Sequence, residues 1–141
     1  MPNLDKNLIK EKLKRILNYL DELKPILAIP YKEYRKNYTN YRTTERNIQL
    51  IVDTAVDIND NLILAMSGKP PADYYESFIR IGELEILSFD LSKKLASSAG
   101  LRNKLVHEYE KIDDNLLYIE AKKNLKNYLE YVKLVNKYLE N

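Results

Sequence analysis

The chain has 141 residues, a formal net charge of +2, one histidine and no cysteine. The absence of cysteine excludes disulfides, thiolate metal ligands and cysteine nucleophiles. Three glycines and five prolines supply few of the tight turns that an all-β fold requires. The length predicts one domain over residues 1–141, in which any imidazole chemistry depends on His107 alone.

Apolar residues recur at helical spacing from the beginning of the chain. They predict a first amphipathic helix from about Leu4 to Lys24, which Pro25 and Pro30 then break or bend. Residues 31–38 are expected to form a short helix, because Pro30 is well placed just before a helix start.

The second long helix is predicted from near Asn40 to a stop signal at Gly68. Asp73 is a predicted N-cap for the next helix, and Gly82 is expected to interrupt that helix. A further helix is predicted over Ser88–Ala99.

Gly100 is expected to separate this helix from the segment that carries His107, and Asp113 or Asp114 is expected to cap a last long helix. No stretch alternates with period two for long enough to predict a sheet. The expected fold is therefore all-α, an up-and-down four-helix-type bundle with additional short helices. Broad apolar helix faces favour a homodimer.

The apolar runs fall far short of the roughly 18 residues that a membrane span needs, and the charged N-terminus lacks the apolar core of a signal peptide. We therefore expect a cytoplasmic protein with no membrane partner. A net charge of +2 is too small to predict nucleic-acid binding by itself.

Four chemically capable side chains lie close together in the sequence: Arg102, Asn103, His107 and Tyr109. Arginine can hold a phosphate through two parallel hydrogen bonds, and histidine can move protons near neutral pH. Asparagine can orient either group or the ligand. Together they could cleave RNA without a metal, because His107 would take a proton from a ribose 2′-OH while Arg102 stabilises the charge growing at phosphorus.

The alternative for His107 is an ordinary solvated side chain, which is the commoner state of a lone histidine beside charged neighbours. On a regular helix at about 100° per residue, Asn103 and His107 lie about 40° apart, whereas Arg102 and His107 lie about 140° apart. Arg102 and His107 therefore cannot meet on one phosphate from a single regular helix unless the helix bends or the long side chains curl. Two copies of the segment across a dimer axis would solve this problem.

A second segment combines aromatic and basic side chains, namely Tyr31, Tyr34, Tyr38 and Tyr41 with Lys32, Arg35, Lys36 and Arg42. Such a cluster can stack with single-stranded RNA and hold its backbone. The alternative, which is the commoner use of such residues, is packing within the fold or at a dimer surface.

The string GLRNKLVHEY at residues 100–109, followed by Ile112-Asp113, resembles the signature of the HepT-like proteins, which belong to the HEPN superfamily of helical-bundle nucleases. The strings TERNI at 44–48, GKP at 68–70 and YYESF at 74–78 are similar to the same family. The resemblance covers most of the chain.

The resemblance implies a metal-independent endoribonuclease without a cofactor, the toxin of a toxin–antitoxin pair, with Arg102 and His107 as the catalytic pair and Asn103 in an orienting role. It implies a homodimer whose cleft forms where the two motifs meet, and a larger hetero-oligomer with the antitoxin. Tyr109 corresponds to the tyrosine that a partner minimal nucleotidyltransferase, the antitoxin, adenylylates to silence the toxin. The alternative is a non-catalytic helical module that binds a nucleotidyltransferase and serves as its modification substrate.

Overall fold

The structure, a computed structural model, describes residues 4–107 and 112–141, which form helices without strands. Its elements in chain order are α1 (Lys6–Leu27), α2 (Tyr31–Tyr34), α3 (Tyr38–Ser67), α4 (Tyr74–Glu83), α5 (Phe89–His107) and α6 (Asp114–Glu140). The all-α expectation is confirmed, with four long helices and the shorter α2 and α4. Over the same two ranges, we find no helix with the length and apolar character needed to cross a membrane.

The long helices pack in an up-and-down order, as the sequence predicts. Asn47, early in α3, donates a hydrogen bond to the carbonyl oxygen of Tyr19, late in α1, so these two helices are antiparallel. Ser98 of α5 and Tyr128 of α6 meet through their hydroxyls at 2.6 Å. Helix α1 packs against α3 and α6, while α5 packs against α3, α4 and α6.

Three local signals act as the sequence predicts. Asp73 caps α4, because its Oδ1 accepts a hydrogen bond from the Glu76 amide at 2.8 Å. Asp113 caps α6 in the same way. Gly68 ends α3 with a φ of 69°, in the left-handed region that favours glycine.

Three predicted breaks are wrong, and at two of them, Pro25 and Gly100, buried contacts outweigh the local helix-breaking tendency. Pro25 lies inside α1, which continues to Leu27. Both Leu23 and Leu27 are buried, and this burial outweighs the loss of the single i→i−4 hydrogen bond that the proline cannot donate. Gly100 lies inside α5, whose next residue, Leu101, packs against the core. A glycine in a helix costs only about 1 kcal/mol.

Other boundaries differ by a few residues. The short helix ends at Tyr34 rather than reaching residue 38, and α3 begins at Tyr38 rather than near Asn40, because Asn37 caps it by accepting from the Thr39 amide at 3.0 Å. Gly82 stays within α4 instead of interrupting it.

A buried polar network joins α6 to α3 and α4. The Tyr131 hydroxyl of α6 lies 2.7 Å from Asn59 Oδ1 of α3, and Asn59 Nδ2 donates to Ser77 Oγ of α4 at 3.1 Å. Because each of these groups is buried, breaking the network would leave unsatisfied polar atoms. The network fixes α3 and α4 relative to each other.

Candidate functional site

Arg102 is the centre of a polar cluster formed by three helices. Its Nε on α5 donates to Asp53 Oδ1 on α3 at 2.8 Å. Its guanidinium carbon lies 4.7 Å from the ring centroid of Tyr74, the first residue of α4. The Arg102 side chain is only 17% exposed, compared with 38% for Asp53. The guanidinium is therefore held on one edge by a carboxylate and on one face by an aromatic ring.

Asn103 holds a second part of the same guanidinium. Its Oδ1 accepts a hydrogen bond from Arg102 Nη1 at 3.3 Å. An arginine has five N–H donors in a planar fork, so these bonds to Asp53 and Asn103 leave donors on the terminal nitrogens. The arrangement orients Arg102 and leaves it able to bind an anion.

Tyr74 lies in the electric field of this ion pair. Burial is the main cause that raises the pKa of the Tyr74 hydroxyl, the negative charge of Asp53 raises it further, and the positive charge of Arg102 opposes the shift. The phenol therefore stays protonated at neutral pH and contributes a polar edge without adding charge.

His107 is placed differently from Arg102. It is the last residue of α5, and its side chain is exposed. Because α5 runs without a break through both residues, they project about 140° apart around one helix. The structure therefore brings Arg102 and Asn103 together, while His107 projects from α5 in a different direction from Arg102. Tyr109 lies outside the residues that the structure describes.

Sequence reasoning did not identify Asp53 and did not assign Tyr74 to the site. Asp53 is 49 residues from Arg102, so no local spacing connects them. The sequence holds one weak signal for Asp53. It follows Arg46 of the TERNI string by seven residues, which is about two helical turns, so Asp53 and Arg46 share a helix face. Tyr74 begins the YYESF string, but only helix packing brings its ring to the guanidinium.

Over the two ranges that the structure describes, no three histidine, cysteine, aspartate or glutamate side chains are grouped as a metal site would require. The groups gathered around Arg102 are one carboxylate, one amide and one phenol. We take this arginine cluster as the candidate site.

Comparison with known proteins links this chain to ribonucleases. A family model for ribonuclease HepT-like proteins matches residues 16–135. The chain is 37% identical over 139 residues to a tRNA nuclease HepT from Aphanizomenon flos-aquae, covering 99% of this chain and 95% of that protein. It is 26% identical over 130 residues to a putative RNase from Archaeoglobus fulgidus, covering 92% of each.

Solved structures share the fold at lower sequence identity. A tri-AMPylated HEPN toxin from Shewanella oneidensis, in complex with an MNT antitoxin, has a TM-score of 0.85 at 16% identity and covers 94% of this chain and 99% of its own. The cytosolic protein YutE from Bacillus subtilis has a TM-score of 0.86 at 17% identity, with coverage of 99% and 94%. The expected family and the expected enzyme class are both confirmed: the chain belongs to the ribonuclease HepT-like family.

Proposed function

We propose that this ribonuclease is the toxin of a toxin–antitoxin pair, and that Arg102 and His107 cleave its RNA substrate. The observation that carries the proposal is the oriented guanidinium of Arg102, which Asp53 and Asn103 hold while terminal donors remain for a phosphate. The names of the relatives support the substrate and the partner. One is a tRNA nuclease, and another was solved as a toxin bound to its antitoxin.

In the proposed reaction, Arg102 binds oxygens of the phosphate that is to be cleaved. His107 acts as general base and removes the proton from the neighbouring ribose 2′-OH. The 2′-oxygen attacks phosphorus to form a 2′,3′-cyclic phosphate, the bond from phosphorus to the 5′-oxygen breaks, and the leaving 5′-oxygen takes up a proton from water. Arg102 stabilises the charge that develops on the phosphate oxygens, and Asn103 keeps the guanidinium in place. The two side chains supply the base and the positive charge, so the proposed mechanism includes no metal or cofactor.

This reaction requires a second copy of the chain, because Arg102 and His107 project in directions about 140° apart from one helix. A homodimer that pairs two α5 helices can place Arg102 of one protomer beside His107 of its partner. We therefore propose a composite active site, repeated twice by the two-fold symmetry.

A cleavage assay with purified protein and RNA, with EDTA present, tests the assignment of the base. The wild type should cut RNA, and His107→Ala should reduce cleavage by about 100-fold or more, the range of a general base. Lys104→Ala, which removes another exposed side chain of the same helix, serves as the control and should cut normally. Equal activity of the wild type and His107→Ala would refute the role of His107.

Mixing two inactive variants tests the composite site. Arg102→Ala and His107→Ala, combined and allowed to exchange subunits, form heterodimers in which one site regains both residues. Because about half of the dimers are mixed and each holds one intact site of two, about a quarter of wild-type activity should return. No recovery despite verified subunit exchange would show that each protomer supplies both residues to its own site.

We also propose that an antitoxin nucleotidyltransferase silences this chain by adenylylating Tyr109. The S. oneidensis relative carries three AMP groups in its complex with an antitoxin. Tyr109 follows His107 by two residues, so an AMP group there would bring a phosphate close to the proposed base. A phosphate placed in this way would compete with substrate phosphate for Arg102.

Intact-protein mass spectrometry tests this control mechanism. Incubation with a minimal nucleotidyltransferase and ATP should add one or more AMP groups and reduce RNA cleavage, while Tyr109→Phe should remain unmodified and active. Modification of a wild-type protein that never cuts RNA would instead favour the non-catalytic module. Unchanged mass of the wild type would contradict the adenylylation proposal.

A further inference from the structure

The start of α3 carries an exposed stack of aromatic and cationic groups. The rings of Tyr38 and Tyr41 are stacked, with centroids 5.7 Å apart and planes inclined by 13°. The guanidinium carbon of Arg42 lies 5.1 Å from the Tyr38 centroid. Tyr38 is 51% exposed, whereas Tyr41 is buried. We call Tyr38, Tyr41 and Arg42 the Tyr38 platform.

Burial holds the inner ring of the platform, Tyr41, and an ion pair orients the exposed guanidinium of Arg42. Arg42 Nη1 donates to Glu45 Oε1 at 3.0 Å, which holds the guanidinium beside the ring. Burial, followed by the negative charge of Glu45, raises the pKa of Tyr41 to about 12, so its phenol is neutral under ordinary conditions. An aromatic surface that is already ordered loses little conformational entropy when a ligand stacks on it.

Positive charge is concentrated around the platform. Residues 31–46 contain five basic and two acidic side chains, a net charge of +3, although the whole chain carries only +2. The other residues together therefore have a net charge of −1. Arg46, one turn beyond Arg42, donates to the Gln49 side-chain oxygen rather than to a carboxylate. Such a local excess attracts a polyanion more strongly than the overall charge suggests.

The platform and the arginine cluster lie along one face of α3. Arg42, Arg46, Gln49 and Asp53 follow one another at spacings of four, three and four, which keeps them on the same side of the helix. Asp53 at the far end holds Arg102. From Tyr38 to Asp53 the helix rises about 22 Å, which equals about six nucleotides at the stacked spacing of about 3.4 Å.

We propose that Tyr38 and Arg42 form a stacking site for a base of single-stranded RNA, several nucleotides away from the phosphate that Arg102 binds. The proposal takes its substrate class from the proposed function. Bases stack on tyrosine rings and on guanidinium planes, and the strand between the two positions passes Arg46. Because every base has an aromatic face, this site adds affinity with little sequence preference.

Binding of a 12-nucleotide, fluorescein-labelled 2′-O-methyl RNA to the full chain tests the proposal by fluorescence anisotropy. This probe lacks the free 2′-OH, so it stays intact whichever residues catalyse cleavage. Tyr38→Ala should raise the Kd by at least about 5-fold, the lower range for losing one stacked base. Tyr38→Phe keeps the ring and should bind within about twofold of the wild type.

Phe89→Ala is the matched control. Phe89 is 61% exposed, with Lys93 Nζ lying 4.9 Å from its ring centroid, so it is another exposed aromatic residue under a cation. It begins α5, about 27 Å along that helix from His107. We expect Phe89→Ala to leave the Kd unchanged. A loss of affinity equal to that of Tyr38→Ala would indicate that the RNA binds non-specifically to exposed aromatic side chains, and it would overturn the proposal.

Three further results would overturn the proposal that the Tyr38 platform binds RNA. The first is an equal Kd for the wild type and Tyr38→Ala. The second is that Tyr38→Ala weakens binding to a duplex of the same chemistry as much as it weakens binding to the single strand, since paired bases cannot stack on the ring. The third is that Tyr38→Ala abolishes a dimer that the wild type forms in sedimentation velocity, which would assign Tyr38 to an interface between copies. Wild-type protein that binds the probe through Tyr38 but never cuts unmodified RNA would refute the proposed function and leave the platform supported.

Discussion

Arg102 shows how a single residue acquires a defined role from its neighbours. Its Nε donates a hydrogen bond to Asp53 along one edge of the guanidinium, and the Tyr74 ring packs against one face of the guanidinium. An unrestrained arginine would lose considerable rotamer freedom on binding a phosphate. Here the folded protein has already restricted that freedom, so the proposed binding of a phosphate would cost less entropy.

We predict that Arg102→Lys impairs RNA cleavage although it conserves the charge. A lysine ammonium can meet Asp53 or a phosphate, but it lacks the planar fork that serves both at once. Cleavage should fall by about 100-fold or more, the range seen when a group that stabilises charge is removed. Single-turnover cleavage rates measure this effect.

Arg80→Lys provides the control for the Arg102 experiment. Arg80 donates to Ser67 Oγ at 2.7 Å, away from Asp53 and Tyr74, so this variant should cut RNA at the wild-type rate. Normal turnover of Arg102→Lys would show that position 102 acts only as a general positive charge.

Among the helices, α4 and α5 show how one small residue sets a close approach. A Cβ added at Gly82 of α4 would lie 2.5 Å from Ser92 Oγ and 2.6 Å from Ser92 Cβ on α5. Ser92 is buried, and its hydroxyl donates to the Phe78 carbonyl oxygen, so displacing its side chain would break a buried hydrogen bond. This contact sets how closely the end of α4 approaches α5, the helix that also carries Arg102.

The two helical glycines should respond to alanine with opposite signs. Gly82→Ala forces α4 and α5 apart and should lower the free energy of unfolding by about 1–3 kcal/mol. At Gly100 an added Cβ meets nothing within 4 Å. Gly100→Ala should therefore raise the free energy of unfolding by about 0.5–1 kcal/mol, because alanine has the better helix propensity. Urea denaturation of both variants measures the difference, and changes of the same sign would contradict the packing argument.

At the scale of the whole molecule, buried tyrosines link stability to alkaline pH. Burial raises the pKa of several phenols, including Tyr34, Tyr41, Tyr128 and Tyr131. A pKa that is higher in the folded state than in the unfolded state means that the folded chain holds the proton more tightly. The resulting stability is complete below the unfolded value of 10.0 and is lost as pH rises towards the folded value, about 12 for Tyr41.

We therefore predict that the urea midpoint falls steeply between about pH 10 and pH 12. Tyr41→Phe should show a smaller fall than the wild type, because this variant lacks one of the groups that must ionise on unfolding. The comparison separates tyrosine ionisation from the loss of lysine charge, which both proteins share. An identical pH profile for the two proteins would exclude a contribution from Tyr41.

The helices and several of their ends follow from the sequence, because they depend on local chemistry. Apolar spacing predicts the long helices, the carboxylates of Asp73 and Asp113 predict two caps, and Gly68 predicts the left-handed end of α3. The same local rules failed at Pro25 and Gly100, where buried neighbours keep the helix intact.

The packing of the helices, and not the sequence pattern, brings the side chains of the candidate site together. Asp53 and Arg102 are 49 residues apart, and the packing of α5 against α3 brings them together. Likewise, periodicity cannot tell that Tyr34 and Tyr41 are buried while Tyr38 of the same cluster remains exposed. Local sequence fixes backbone conformation through short-range forces, whereas side-chain partners depend on which helix faces bury their apolar surface against each other.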